Sequence, residues 1–240
     1  SSLRLERQHV SHRGNFMTSS EQPRAPLRIL RLIASPNGQA SESFKLSQHI
    51  LLGLTVQAGR RGIQVTDFDL NDLAPVDAGY AQALANLGGP EAVAQDGTLN
   101  RSDELIGQLQ ACDLLLIATP MHNYSVPAPL KAWIDHVVRV GITFLSTAAG
   151  KVGTVVDRPV YVAVASGGYI SGPNARQPDF LRPYLSAVLA TIGLKQVNYF
   201  TLEGTARGAE FLQAARAAAQ AEVQGFFAAS SKPLPQGQHA

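Results

Sequence analysis

Cysteine is almost absent from this sequence, because Cys112 is the only one in 240 residues. A single thiol excludes an intrachain disulfide and a cysteine-rich metal site, and we predict no bound metal. It is also typical of a reducing compartment. No apolar run approaches the roughly 18–20 residues of a membrane span, and residues 1–16 lack the apolar core of a signal peptide. We therefore expect a cytoplasmic protein that does not associate with membranes.

The sequence also lacks a strong charge of either sign. Its formal net charge is +2, and residues 1–26 hold four arginines and two glutamates. Residues 27–240 therefore carry 16 basic and 16 acidic side chains, so no basic groove for a nucleic acid is predicted. We expect residues 1–26 to be a disordered or artificially added leader, with Met17 as an alternative first residue. The folded domain is expected at 27–230, followed by a tail at 231–240.

What the sequence does contain is a regular alternation of short apolar runs and longer amphipathic segments. Five apolar runs predict strands, at residues 27–34, 63–70, 113–118, 159–165 and 197–202. Helical patterns lie between them and after the last. This alternation predicts an α/β fold, a doubly wound five-stranded parallel sheet with helices on both faces.

Three segments give more local predictions. The alanine-rich residues 81–87 favour a short helix. Ser102 is expected to cap a second helix, with Asp103 and Glu104 in its first turn, where the helix dipole favours acidic side chains. Residues 142–157 have no helical period, and their glycines indicate an excursion or a hairpin.

Three loops are expected to converge, because parallel strands present their carboxyl ends on one edge of a sheet. They are residues 35–43, 120–127 and 166–177, which follow the first, third and fourth predicted strands. The middle loop lies within the stretch 113–144, in which a buried strand, a proline-bordered turn and an amphipathic helix follow one another. Any active site is expected at this edge.

The first loop places three hydroxyls, Ser35, Ser41 and Ser43, beside a helix start. Exposed amides and the positive end of the helix dipole favour a phosphate there. The loop matches neither the nucleoside triphosphate motif nor the dinucleotide motif, so a monophosphate is the remaining prediction. The alternative is that Ser41 or Ser43 only caps its helix.

The second loop, Met121 to Tyr124, lies between Pro120 and Pro127. Its main-chain amides and amphipathic side chains suit the edge and the face of a flat heterocycle. The alternatives are that Asn123 is only a turn residue and that His122 only lines the surface.

In the third loop, Gly167 and Gly168 allow the backbone to approach a ligand closely, because neither carries a Cβ. A simple tight turn is the alternative. Flavin mononucleotide, FMN, fits all three loops on this edge. It has a phosphate for the first loop and a planar ring for the second, and the glycines of the third loop allow the backbone to lie close to it.

The same segments also form a joint pattern. It comprises Ser35 with Ser41-Glu42-Ser43, Pro120-Met121-His122-Asn123-Tyr124, Leu130-Lys131 through Asp135, Arg139 to Phe144, Ser166-Gly167-Gly168, Pro183-Tyr184-Leu185, Ile192-Gly193 and Glu203-Gly204. With this pattern the sequence resembles the FMN-dependent NADH-azoreductase/quinone oxidoreductase family of the flavodoxin-like fold, across roughly residues 27–228.

The resemblance implies FMN as the cofactor, NADH or NADPH as the co-substrate, and two-electron ping-pong reduction of quinones and aromatic azo compounds. It implies no catalytic side chain, since the chemistry belongs to flavin N5. A homodimer with the flavin sites at its interface is also implied.

By position, the resemblance assigns the FMN phosphate and its surroundings to Ser35, Ser41, Glu42 and Ser43. It assigns the ring to Met121, His122, Asn123 and Tyr124 after Pro120, with the Asn123 amide as a donor near N5. Ser166, Gly167, Gly168 and Tyr169 complete the far side of the site. His122, Tyr124 and Phe144 are expected to line the substrate space.

The sequence departs from the family pattern where substrate would bind. His122 replaces the usual tyrosine, Tyr124 the usual phenylalanine, and Ala165-Ser166 the usual Ser-Arg; Ser146 stands where an aromatic residue is common. Main-chain contacts survive such changes, so the departures bear on substrate preference more than on cofactor identity.

Two other functional classes compete with this hypothesis. One is a flavin-binding electron carrier or regulatory module without its own NAD(P)H turnover, although such carriers are usually shorter and strongly acidic. The other is a phosphate-binding hydrolase, for which Glu42 is the only acid near the first loop.

Overall fold

The computed structural model describes residues 24–86, 98–230 and 234. The strands in this part of the chain are β1 (Leu27–Ile33), β2 (Ile63–Asp69), β3 (Leu114–Pro120), β4 (Phe144–Thr147), β5 (Gly150–Gly153), β6 (Val160–Ala165) and β7 (Val197–Leu202). The helices are α1 (Glu42–Ala58), α2 (Ala78–Asn86), α3 (Asn100–Ala111), α4 (Ala128–Val137), α5 (Leu181–Ile192) and α6 (Ala209–Ala229).

Five of these strands form one parallel sheet in the order β2-β1-β3-β6-β7. Numbered among themselves, these strands run 2-1-3-4-5, the order of flavodoxin-like sheets, whose ligand site lies at the carboxyl ends of the first and third strands, where the strand order reverses. The predicted five-stranded parallel sheet is confirmed. β4 and β5 pair antiparallel in a separate hairpin, so the hairpin alternative for residues 142–157 is also confirmed.

Hydrophobic cores lie on both faces of the sheet, and β3 shows why. Its side chains alternate, so that Leu115 and Ile117 pack with residues of α3, α4 and α5, whereas Leu114 and Leu116 pack with residues of α1 and α6. All four residues are completely buried. A strand that is buried on both faces has apolar residues at consecutive positions, and this continuous run is the pattern from which the sequence predicts β3.

The predicted helix cap at Ser102 is wrong. Helix α3 begins at Asn100, and the residue before it, Leu99, makes no side-chain cap. Ser102 is buried inside the first turn, where its hydroxyl donates to the His136 carbonyl at 2.6 Å and accepts from Arg139 at 3.1 Å. A tertiary contact with the end of α4 therefore uses the hydroxyl that a local cap would need. Asp103 does lie in the first turn, as predicted, whereas Glu104 lies beyond it because the helix begins at Asn100.

The structure also describes the predicted short helix and the single cysteine. The short helix expected at 81–87 is α2, and residue 87 lies outside the described residues. The Cys112 thiol is buried and donates to the Leu109 carbonyl, and burial raises its pKa.

Within the described segments, no helix is long and apolar enough to span a membrane. No group of three metal-binding side chains is found there either.

An ion pair between helices joins the start of α1 to α6. Arg216 donates to both carboxylate oxygens of Glu42, at 2.7 and 2.6 Å, and Lys45 adds a third contact at 2.9 Å. The hydrogen bond from Arg216 is the main reason that the pKa of Glu42 falls from 4.5 to about 2. Glu42 is thus a carboxylate that is charged at neutral pH and paired with two cations, so it is unsuited to act as a general acid.

We expect Glu42→Gln to lower the free energy of unfolding at pH 7 by an amount that shrinks in acid. The folded-state pKa lies below the ordinary one, so the stabilisation is complete above pH 4.5 and is lost as the pH falls towards 2. Urea unfolding at several pH values measures this. Glu104→Gln, in an exposed pair within α3, is the control and should change stability by no more than about 0.5 kcal/mol. An E42Q effect that does not depend on pH would contradict the assignment.

Candidate functional site

The loops after β1, β3 and β6 meet at the carboxyl edge of the sheet. Three backbone hydrogen bonds connect the strand ends, from Ala34 to Ala118 at 2.9 Å, from Met121 to Ala165 at 2.8 Å and from Ser166 to Leu202 at 2.9 Å. The predicted convergence of the three loops is therefore present. The site lies at the carboxyl ends of the paired strands β1 and β3, where the strand order reverses and the two following helices pack on opposite faces of the sheet.

The first loop presents buried hydroxyls at the amino end of α1. The Ser41 hydroxyl accepts from the Phe44 amide at 3.2 Å, so the capping alternative is true of Ser41. It also lies 3.3 Å from the Ser43 hydroxyl, and Ser43 has no accessible surface. Ser43 is therefore not exposed at the open edge, and its hydroxyl contacts that of Ser41 instead. Ser35 is buried at the end of β1, and its hydroxyl accepts from Asn37.

The start of α1 retains capacity for an anion. Within the described residues, the amides of Glu42 and Ser43 have no hydrogen-bond partner, as is usual in the first turn of a helix. This helix is 17 residues long, so its dipole adds to the positive potential. The Glu42 carboxylate lies nearby, but Arg216 and Lys45 compensate its charge.

The second loop is a tight turn with an uncommon backbone. His122 and Ser125 exchange two backbone hydrogen bonds of 3.0 Å. Between them, Asn123 and Tyr124 have φ angles of 48° and 69°. Two central residues at positive φ define a type I′ turn, which normally favours Asn-Gly. Asparagine suits this conformation, whereas a bulky tyrosine is strained in it.

This turn exposes main-chain donors at the site. The amides of Asn123 and Tyr124, unlike those of His122 and Ser125, have no partner among the described residues. The Tyr124 carbonyl is used, because it accepts from Phe180 at 3.0 Å and so attaches the turn to the loop after β6. Strain concentrated in a rigidly held turn is characteristic of functional sites.

The third loop is attached to the loop after β7. Ser166, Gly167 and Gly168 accept backbone hydrogen bonds from residues 204–206. A Cβ at Gly168 would lie 2.6–2.8 Å from the end of the Gln177 side chain, so a larger residue at this position would require that flexible side chain to move. Tyr169 is half-buried, and its ring packs against Gly204.

Phe144 occupies a different setting from that expected. It is buried at the base of the β4–β5 hairpin, with the Lys151 ammonium 4.9 Å from its ring. Within a single chain it therefore does not line an open surface. Tyr124 and His122, by contrast, are exposed at the sheet edge.

Sequence reasoning missed two contributors to the site. The Asn71 side-chain amide donates to the Ser35 carbonyl at 2.8 Å and so anchors the first loop from beyond β2. The Glu203 carboxylate accepts from the Ile170 amide at 2.8 Å and from the Ser171 hydroxyl at 2.6 Å. Glu203-Gly204 was a recognisable signal in the sequence, whereas Asn71 lies in a segment with no clear pattern.

Comparison with known proteins agrees with this geometry. A family model described as a flavodoxin-like fold matches residues 27–226. FMN-dependent NADH:quinone oxidoreductase 4 of Pseudomonas fluorescens is 43% identical over 187 residues, which are 78% of this chain and 88% of that protein. FMN-dependent NADH:quinone oxidoreductase 5 of Burkholderia lata is 43% identical over 180 residues, 74% of this chain and 85% of the relative.

Solved structures show the same fold. An azoreductase from Bacillus anthracis superposes with a TM-score of 0.70 at 21% identity, covering 84% of this chain and 98% of that one. An FMN-dependent NADH-azoreductase from Bacillus anthracis, in complex with FMN, gives 0.67 at 23% identity over 83% and 99% of the two chains. The fold, the sheet order and the matched relatives agree. The chain belongs to the flavodoxin-like family that includes the FMN-dependent NADH:quinone oxidoreductases.

Proposed function

We propose that this protein is an FMN-dependent oxidoreductase that uses NADH or NADPH to reduce quinones and aromatic azo compounds. The observation that carries the proposal is the strained turn at residues 122–125, whose unpaired amides lie on the same sheet edge as the serines of the first loop. Relatives at 43% identity named FMN-dependent NADH:quinone oxidoreductases support it.

The residues at this edge fit FMN. Its phosphate would be held by Ser35, Ser41 and the unpaired amides at the start of α1. Ser43 would support Ser41 through the contact between their hydroxyls, and Glu42 is paired with Arg216. Residues 120–124 would hold the ring through main-chain donors. Ser166 to Tyr169 would close the far side of the site.

Bound FMN would supply reversible two-electron transfer between NAD(P)H and the acceptor. In the net reaction NAD(P)H gives two electrons and one proton, and one further proton from solvent completes the reduction of a quinone to a hydroquinone. The protein's own contribution is positional. The amides of Asn123 and Tyr124 are fixed donors for developing negative charge, and they need no rearrangement because the turn already holds them.

The exposed side chains beside the turn would determine which acceptor fits. His122 and Tyr124 are exposed at the open edge, and within the described part of the chain neither side chain pairs with a carboxylate or a thiol. A single substrate space, occupied first by NAD(P)H and then by the acceptor, requires ping-pong kinetics. We propose a cytoplasmic location, supported by the pyridine nucleotide donor and by the single, buried thiol.

The decisive measurement is the visible spectrum of the protein saturated with FMN and then desalted. We expect retained flavin absorbance, bleaching on anaerobic addition of NADH or NADPH, and recovery on addition of menadione. Steady-state rates should give parallel double-reciprocal lines. A protein that releases all its FMN refutes the proposal, and retained flavin that neither nucleotide bleaches identifies an electron carrier instead.

Tyr124 provides a test of the strained turn. Left-handed backbone costs a residue other than glycine about 1–2 kcal/mol, and glycine relieves that cost. The ring is 44% exposed, so its removal sacrifices little packing. We therefore expect Tyr124→Gly to be more stable than Tyr124→Ala by about 1 kcal/mol in urea unfolding. Equal stability of the two variants would show that the turn is unstrained in solution.

We also propose a homodimer formed through the β4–β5 hairpin. The hairpin and its flanks expose several apolar side chains, namely Val140, Ile142, Leu145, Val152 and Val156. Leu145 and Val152 pair directly across the two strands, so they share one face. A second copy covering this face would bring Phe144 and the hairpin close to a flavin site.

We expect Leu145→Asp to produce a monomer with reduced FMN retention, because a carboxylate cannot be buried unpaired at such an interface. Analytical ultracentrifugation and the flavin-to-protein absorbance ratio measure the two effects. Leu52→Asp is the matched control, since Leu52 is an exposed leucine on α1. A dimer that survives L145D would place the interface elsewhere.

A further inference from the structure

Arg207 lies on the rim of the site, between two aromatic rings. Its guanidinium carbon is 5.3 Å from the centre of the Tyr169 ring and 4.8 Å from that of Phe211. Tyr169 belongs to the loop after β6, and Phe211 to the first turn of α6. Cation–π contacts at these distances restrict an otherwise flexible side chain.

The backbone that carries Arg207 is fixed to the proposed flavin loop. Gly204, Thr205 and Ala206 donate to the carbonyls of Gly168, Ser166 and Gly167 at 3.3, 3.1 and 3.3 Å. The Arg207 amide then donates to the Gly204 carbonyl at 3.1 Å. The position of Arg207 relative to the site is therefore set by hydrogen bonds and by ring contacts.

The neighbouring charges leave the Arg207 guanidinium available. Arg176 donates to the carbonyls of Pro173 and Ala175, and Arg182 pairs with Asp179. The carboxylate of Glu203 is occupied by the amides and the hydroxyl of residues 170–171. Within the described residues, the exposed Arg207 side chain makes no hydrogen bond or ion pair.

We propose that Arg207 binds an oxyanion of a substrate that enters this site, and so contributes to substrate specificity. The inference rests on the proposed function, because the substrates are those of the flavin reaction. A guanidinium donates through a planar fork that matches carboxylate, sulfonate and phosphate groups. The contacts with the two rings restrict the guanidinium and so reduce the entropy lost on binding.

Two sources offer this chemistry, a phosphate of the pyridine nucleotide and an acidic group on an azo acceptor. The variants Arg207→Gln and Arg207→Lys, with Arg176→Gln as a matched control on the same rim, distinguish them. The measurements are KM and kcat for NADH and NADPH with menadione, KM for the sulfonated dye methyl orange, and calorimetric titration with inorganic pyrophosphate.

We expect R207Q to weaken pyrophosphate binding and to raise KM for the anionic partner roughly 5–50-fold, with R207K intermediate. A raised KM for the nucleotide identifies the phosphate source, and a raised KM for methyl orange but not menadione identifies the acceptor. R176Q should change each value by less than about twofold.

The inference is overturned if R207Q changes none of these values more than R176Q does. A wild-type protein that binds no FMN and oxidises no NADH refutes the proposed function separately. The pyrophosphate titration still decides the role of Arg207 in that case, since it requires no flavin and no turnover.

Discussion

The parallel register of β1, β3 and β6 is the constraint on which the site depends. Ile33 pairs with Ala118, and Pro120 pairs with Ala165, so the three strands end close to one level. A slip of one residue would exchange the two faces of a strand. Because β3 packs against helices on both faces, such a slip would require both cores to repack. The same packing that stabilises the sheet thus fixes the distance between the serine loop and the amide turn.

That rigid edge explains how a strained turn persists. Asn123 and Tyr124 are held at positive φ by reciprocal hydrogen bonds between their neighbours, by the bond from Met121 to β6, and by the bond from Phe180 to Tyr124. The cost of roughly 1–2 kcal/mol for each left-handed residue is small beside the burial of a whole sheet. In return, two adjacent amides remain unpaired and fixed at the edge.

The sequence predicted those parts of the structure that follow from local pattern. All five strands of the sheet were predictable because apolar runs bounded by turn residues have few other interpretations. Ser102 was misassigned because a residue of helix-capping type was used for a contact with α4 instead. The strain at Tyr124 could not be predicted, since tyrosine carries no preference for positive φ. Gly168 lies close to Gln177, nine residues away, and Arg207 contacts Tyr169, thirty-eight residues away. Neither contact could be predicted, because a local sequence pattern carries no information about such partners.

We propose that backbone and side-chain contacts have separate roles at this site. The groups that would hold FMN are amides, a helix start and small hydroxyls, and these survive substitution at His122 and Tyr124. The exposed side chains of His122, Tyr124 and Arg207 are the groups that we propose contact the substrate. A fold organised in this way can keep its cofactor while its substrates change. For the same reason, we propose that the side chains at the rim, rather than the glycines below them, determine which acceptor this protein uses.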